Sequence, residues 1–135
     1  MSQPITIQGW PLVEICFNGP ADESDVQSWL EAMNALFEKN QPFGLMTRTS
    51  ENSDFSDAGR KAMGLWFKQS REQIARHCVG VARIAPNEEA VARLAGPKMQ
   101  AAMPCPIIAS VDPAQARAWL VAKLMESENG SAAQL

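Results

Sequence analysis

Residues 43–84, FGLMTRTSENSDFSDAGRKAMGLWFKQSREQIARHCVGVARI, decide the fold. Phe43 to Thr49 is a short apolar run of strand length, and Val79 to Ile84 is another. Between them lie a polar loop, Thr49 to Asp54, and a helical pattern over about Ser56 to Cys78. On a helical wheel Ala62, Met63, Trp66, Phe67 and Ile74 share one side, while Arg60, Lys61, Lys68 and Arg71 cluster away from it. That is a strand, an amphipathic helix with a basic outer face, and a second strand. Two strands joined through a helix pair in parallel, with a right-handed crossover.

The pattern repeats toward the C-terminus. Ala85-Pro86 stops the second of these strands, and Asn87 is placed to cap a helix through Leu94. Gly96-Pro97 breaks or bends that helix before Lys98 to Met103. Pro104-Cys105-Pro106 forces an extended entry to a further strand, Ile107 to Val111. Asp112-Pro113-Ala114-Gln115 then opens the last helix with Asp at the N-cap, Pro at N1 and Gln at N3. Ala116, Trp119, Leu120 and Leu124 form its buried stripe.

Toward the N-terminus, Ile5-Thr6-Ile7 alternates like a half-buried strand, Gly9-Trp10-Pro11 is a turn, and Leu12 to Phe17 is a strand. So short a link predicts an antiparallel hairpin. Asn18-Gly19-Pro20 ends it. Ser24 and Gln27 have the spacing of a capping box, with Asp22, Glu23 and Asp25 where the helix dipole favours negative charge. Val26, Trp29, Leu30, Met33 and Phe37 follow as one apolar stripe, closed by Lys39-Asn40 and Pro42. The expected fold is therefore a single α/β domain over residues 1–125. It has about five strands, the first antiparallel at the edge and the rest parallel, and about four helices. Residues 126–135, polar and rich in small side chains, are expected to form a flexible tail.

The totals agree with a globular domain and exclude several classes. The chain has 135 residues, 46% hydrophobic and 20% charged, enough to bury a core without covalent staples. Its net charge of -3 argues against a nucleic-acid partner, because phosphate backbones are held through Lys and Arg. The start, MSQPITIQGW, has neither the basic residues nor the apolar stretch of a signal peptide. No run approaches the roughly 20 apolar residues of a membrane span. Cys16, Cys78 and Cys105 are far apart, and one would be left over from any pairing. A reducing cytoplasm is the expected setting.

Three stretches carry a resemblance to a family. They are Asp54-Phe55-Ser56-Asp57-Ala58-Gly59 at a strand–helix junction, Ala75-Arg76-His77-Cys78-Val79-Gly80-Val81 entering a core strand, and the ending Ser110 to Leu120 with its Ala-x-x-Trp-Leu stripe. Over residues 4 to 125 the chain resembles the SpoIIAA-like branch of the STAS superfamily. The resemblance implies strand–helix units in a sheet with one antiparallel edge strand, and protein binding or ligand sensing rather than catalysis. Antagonists of this superfamily resemble Asp-Ser-Ser-Gly at the start of their second helix, with the first Ser phosphorylated. Setting Gly59 on that Gly puts Asp57 at the phospho-Ser position, Ala58 at the next, and Ser56 one residue early. Ser56 is then the candidate phosphorylation site, beside an Asp57 whose constant charge no kinase can switch.

No reactive constellation is evident. His77 and Cys78 are adjacent, so their side chains diverge, whereas nucleophilic catalysis needs thiol and base in hydrogen-bond reach. No closely spaced Cys or His pair fits a metal, and no Gly-rich phosphate loop fits a nucleotide cofactor. The carboxylates Asp22, Glu23, Asp25, Asp54 and Asp57 sit at helix starts, where capping explains them. Glu14 interrupts an otherwise apolar strand and is expected to face solvent. Trp10, in its turn, is hard to bury and marks a candidate contact surface. The leading expectation is a non-enzymatic interaction domain, without cofactor, whose partner is a protein or a second copy. Its binding rim would be the strand carboxyl edge, near Arg48 to Phe55, Pro86 and Asp112. The candidate binding residues are Arg48, Phe55, Ser56, Asp57, Arg60 and Lys61. The alternative is a binder of a small apolar ligand or an anionic membrane surface, favoured by the basic helix and by 7 Met and 4 Trp.

Overall fold

A computed structural model describes residues 3–133. In chain order the elements are β1 (Ile5–Gln8), β2 (Leu12–Phe17), β3 (Pro20–Ala21), α1 (Glu23–Glu38), β4 (Phe43–Thr49), β5 (Asp54–Phe55) and α2 (Asp57–Gln69). They continue with α3 (Arg71–His77), β6 (Cys78–Ile84), α4 (Glu88–Leu94), α5 (Pro97–Ala102), β7 (Ile107–Ser110) and α6 (Pro113–Ala133). The five-stranded sheet has the order β1-β2-β4-β6-β7. β1 pairs antiparallel with β2 at one edge, and every other pairing is parallel. The sheet is as expected from the sequence.

Each new strand lies beside the one before it. With right-handed crossovers, an unreversed strand order sends the connecting helices to the same side. Accordingly α1, α2 and α3 pack together on one face, joined by Met99 and Met103 from and after α5. Alternate strand residues supply the core beneath them: Val13 and Ile15 from β2, Phe43 and Leu45 from β4, Val81 from β6 and Ile107 from β7. All five predicted stripe residues of α1 are buried in this core. Each such side chain contributes on the order of 1.5–3 kcal/mol.

The opposite face has one helix, α6, lying over β4, β6 and β7. Ala116 and Leu120 are fully buried there against Met46, Ala82 and Ile84. Helix and sheet approach closely because two cross-strand neighbours, Gly44 and Gly80, leave the space free. A Cβ on Gly44 would stand 3.0 Å from Leu120 Cδ2. Glu14 also faces this side, and its Oε1 accepts from the Arg117 guanidinium at 2.6 Å.

Several expectations need correcting. The first helix is capped by Asp22, not Ser24. The Asp22 side chain accepts from the Asp25 N–H at 2.9 Å, and the Asp25 carboxylate accepts from the Asp22 N–H at 3.0 Å. The chain is held extended just before it by a small second sheet, in which β3 pairs in parallel with β5. The long helix expected over Ser56 to Cys78 is two, α2 and α3, separated at Ser70, whose φ of -101° and ψ of 7° leave the helical region. The third helix breaks at Gly96-Pro97 as expected, into α4 and α5, and with the break at Ser70 the described residues hold six helical segments rather than about four helices. Asn87 caps α4 as expected, accepting from the Ala90 N–H at 2.9 Å. Trp10, expected to be hard to bury, is half-buried: it packs on Phe43 at 5.7 Å between ring centroids, with Lys39 Nζ 5.0 Å from its own ring. Helical backbone also continues through most of the expected tail, from residue 126 to Ala133, and residues 134–135 lie outside the described residues. Among the described residues, no helix is long and apolar enough to cross a membrane.

A candidate binding groove at the carboxyl edge of the sheet

The parallel strands β2, β4, β6 and β7 end at the same edge, and their exits leave an open groove of about 490 Å³. Cys16 and Phe17 end β2, Arg48 and Thr49 end β4, Ile84 ends β6, and Val111 and Pro113 lead from β7 into α6. The walls are mostly apolar, since these side chains lie where the sheet stops and the helices have not yet closed over it. Val111 is 39% exposed. The polar exceptions cluster at one side. Ser50 Oγ donates to Asn18 Oδ1 at 3.1 Å and also contacts Asn52, while the Ser50 N–H donates to the Phe17 carbonyl at 2.9 Å. These bonds hold the loop after β4 against the exit of β2. Arg48 is exposed and makes no ion pair among the described residues.

The other candidate residues form a strip beside this groove rather than within it. Phe55, in β5, is half-buried and meets Phe17 edge-on, with ring centroids 5.8 Å apart. Ser56 is the N-cap of α2, its Oγ accepting from the Gly59 N–H at 3.0 Å. Asp57 is the first residue of α2 and is exposed. Arg60 bends back over the junction, donating to Asp54 Oδ1 at 2.9 Å and to the Phe55 carbonyl at 3.2 Å. The Phe55 N–H, and after it the Arg60 side chain, hold the Asp54 carboxyl below the usual carboxylate range. Lys61 is exposed on the outer side of α2. Phe17 joins the two areas: it lines the groove and packs on Phe55. Sequence reasoning located the carboxyl edge and Arg48 but missed Cys16, Phe17 and Val111, which look like ordinary strand residues until the strand ends are brought together.

The basic face expected on the long helix is less free than its sequence implies. Arg60 is taken up by Asp54 and the Phe55 carbonyl, and Arg71 donates to the Ala102 carbonyl at 2.8 Å. Lys61 and Lys68 remain without an ion-pair partner among the described residues.

A second hollow, of about 370 Å³, lies between β1 and α1 beside Asp25, Ser28 and Trp29. The Trp29 Nε1–H is buried near it with no hydrogen-bond partner.

Of the three thiols, Cys78 and Cys105 meet, with their sulfurs 3.9 Å apart, while Cys16 stands away from them. His77 is buried, its ring 6.1 Å from that of Phe37. Cys16 lies in the groove at the opposite end of the sheet from Cys78 and Cys105. Among the described residues, no group of three or more His, Cys, Asp and Glu side chains converges as a metal site would require. Compared with family models, with curated proteins and with solved structures, the chain finds no match in any of the three.

Proposed function

We propose that this chain is a STAS-like interaction domain without catalytic activity of its own, and that its partner, another protein or a second copy, docks on the carboxyl rim. One observation carries this reading: the apolar groove and the start of α2 form a continuous surface through the Phe17–Phe55 contact. The groove supplies exposed apolar area for a buried interface centre. Arg48, Ser56, Asp57 and Lys61 supply a polar, charged border that selects the partner's orientation. The unreversed strand order, with one antiparallel edge strand, supports the STAS-like assignment. In that reading Ser56 is the residue a kinase would modify, and a phosphate there would add charge beside Asp57 at the N-terminus of α2.

The test is affinity capture from the protein's own host together with native mass spectrometry of the purified chain. Wild-type protein is expected to retain a specific partner or to self-associate. Val111→Asp and Arg48→Glu are expected to lose it while keeping the wild-type circular dichroism spectrum. A wild-type chain that stays monomeric and captures nothing specific overturns the reading.

A second reading has its own support. The apolar lining of the groove also suits a small apolar ligand. A native-mass adduct that Val111→Asp removes, without any bound protein, would favour it. Flotation with anionic vesicles tests the membrane version, for which Lys61 and Lys68 are the cations of α2 without an ion pair among the described residues.

A further inference from the structure

The sulfur atoms of Cys78 and Cys105 lie 3.9 Å apart, and both residues are buried as free thiols. Cys78 opens β6, and Cys105 sits between Pro104 and Pro106 just before β7. The parallel pairing of these strands brings them together across 27 residues of sequence. The Val81 N–H donates to the Pro106 carbonyl at 2.9 Å, so the two backbones run at sheet spacing beside the thiols. Adjacent backbones at this separation fall within the range that a disulfide spans, and side-chain rotation can then close the remaining gap.

We propose that Cys78 and Cys105 are a redox-modifiable dithiol, converted by hydrogen peroxide into an intrachain disulfide at the amino edge of the sheet. The two sulfurs are not equivalent. Cys78 is 4% exposed and its Sγ also donates to the Gly80 carbonyl at 3.4 Å, whereas Cys105 is 9% exposed and nearer to solvent. The hydrogen bond with Cys105, then burial, raises the Cys78 thiol well above its usual value, and the same hydrogen bond lowers that of Cys105. The greater exposure of Cys105 makes it the sulfur that meets the oxidant, with Cys78 as the resolving thiol.

The chemistry balances in two steps. The Cys105 thiolate attacks one peroxide oxygen, the O–O bond breaks, and the sulfur becomes a sulfenic acid as hydroxide leaves. The Cys78 sulfur then attacks the sulfenic sulfur, the S–S bond forms, and the S–O bond breaks, the departing hydroxide taking the Cys78 thiol proton to leave as water. The proton first lost by Cys105 neutralises the hydroxide. In sum, two thiols are oxidised, one peroxide is reduced, and two waters form. The cross-link closes a loop that contains α4 and α5. It lies at the end of the sheet away from the proposed rim, so the proposal stands apart from that reading.

Purified full-length protein treated with hydrogen peroxide, blocked with an alkylating agent and weighed intact provides the test. The expected product carries one alkyl group, on Cys16, and apart from it is lighter than the reduced chain by about 2 Da, the two thiol hydrogens. Non-reducing tryptic digestion should join the peptide of residues 77–83 to that of residues 99–117, and a reducing thiol should separate them. Cys16→Ser should leave this cross-link unchanged. Oxygen adducts without a cross-link, a disulfide through Cys16, or a chain still fully alkylated after peroxide would each overturn the proposal. The mapping uses wild-type protein, so it does not depend on a variant that folds.

Discussion

The Trp119 indole occupies the space that a side chain at position 80 would need. A Cβ on Gly80 would lie 2.8 Å from Trp119 Cη2 and 2.9 Å from Cζ3, closer than such atoms approach. Gly80→Ala is therefore expected to destabilise the protein by about 1–3 kcal/mol, through forced movement of α6. In a Trp119→Leu background the same change should cost less, with a coupling of at least about 0.5 kcal/mol. Urea denaturation of the four proteins of this cycle measures it. Equal penalties in both backgrounds would show that the indole is not what excludes the methyl.

The caps separate two residues that the sequence ranks alike. Asp22→Ala should destabilise by about 1 kcal/mol, and Asn87→Ala by a similar amount, because each removes an acceptor from a helix N–H. Ser24→Ala, in the first turn of α1, should stay within about 0.5 kcal/mol of wild type. Thermal melts followed by circular dichroism compare the three. A Ser24→Ala loss as large as that of Asp22→Ala would return the cap to Ser24.

The Asp54 carboxyl should titrate below the usual carboxylate range, as followed by the NMR shift of its carboxyl carbon. A folded value below the unfolded one stabilises the fold at pH above the unfolded value, and this contribution disappears as pH falls through the lowered one. Arg60→Ala should raise the titration only part of the way, since the Phe55 N–H still donates to the carboxylate. An unchanged titration in that variant would mean that the guanidinium is not a cause.

Glu14 and Arg117 are a partly exposed pair, so their contact at 2.6 Å should contribute no more than about 1 kcal/mol. A double-mutant cycle with Glu14→Gln and Arg117→Gln measures it, and the coupling should shrink as salt is raised. A coupling well above that limit, insensitive to salt, would place the pair in a much drier environment than its exposure indicates.

How much of this was legible in the sequence follows from how local each feature is. β2 and β4 have the boundaries that their residue patterns predict, and Asn87 and Asp112 cap the helices they precede, because a strand's composition and a cap are local. The break at Ser70 carries no Gly or Pro, and the apolar spacing from Trp66 to Ile74 runs on across it. Asp22 and Ser24 are both good capping residues. What selects Asp22 is the pairing of Pro20–Ala21 with Asp54–Phe55, a contact between segments more than thirty residues apart. The groove, too, comes from four strand ends, and of its lining the rim expected from the sequence contained Arg48, Thr49, Ser50 and Pro86. Pairing across the sheet made the rest.

The single helix on the second face has a consequence for how the chain is made. Synthesis is vectorial, and α6 follows all of the strands. A nascent chain that has just delivered β7 already possesses everything needed to close the core under α1. Leu12, Met46, Ala82, Ile84 and Ile108 still await the helix that will cover them. Until Ala116, Trp119 and Leu120 clear the ribosome, the growing protein is one-sided, with an adhesive sheet open to whatever lies near the exit tunnel.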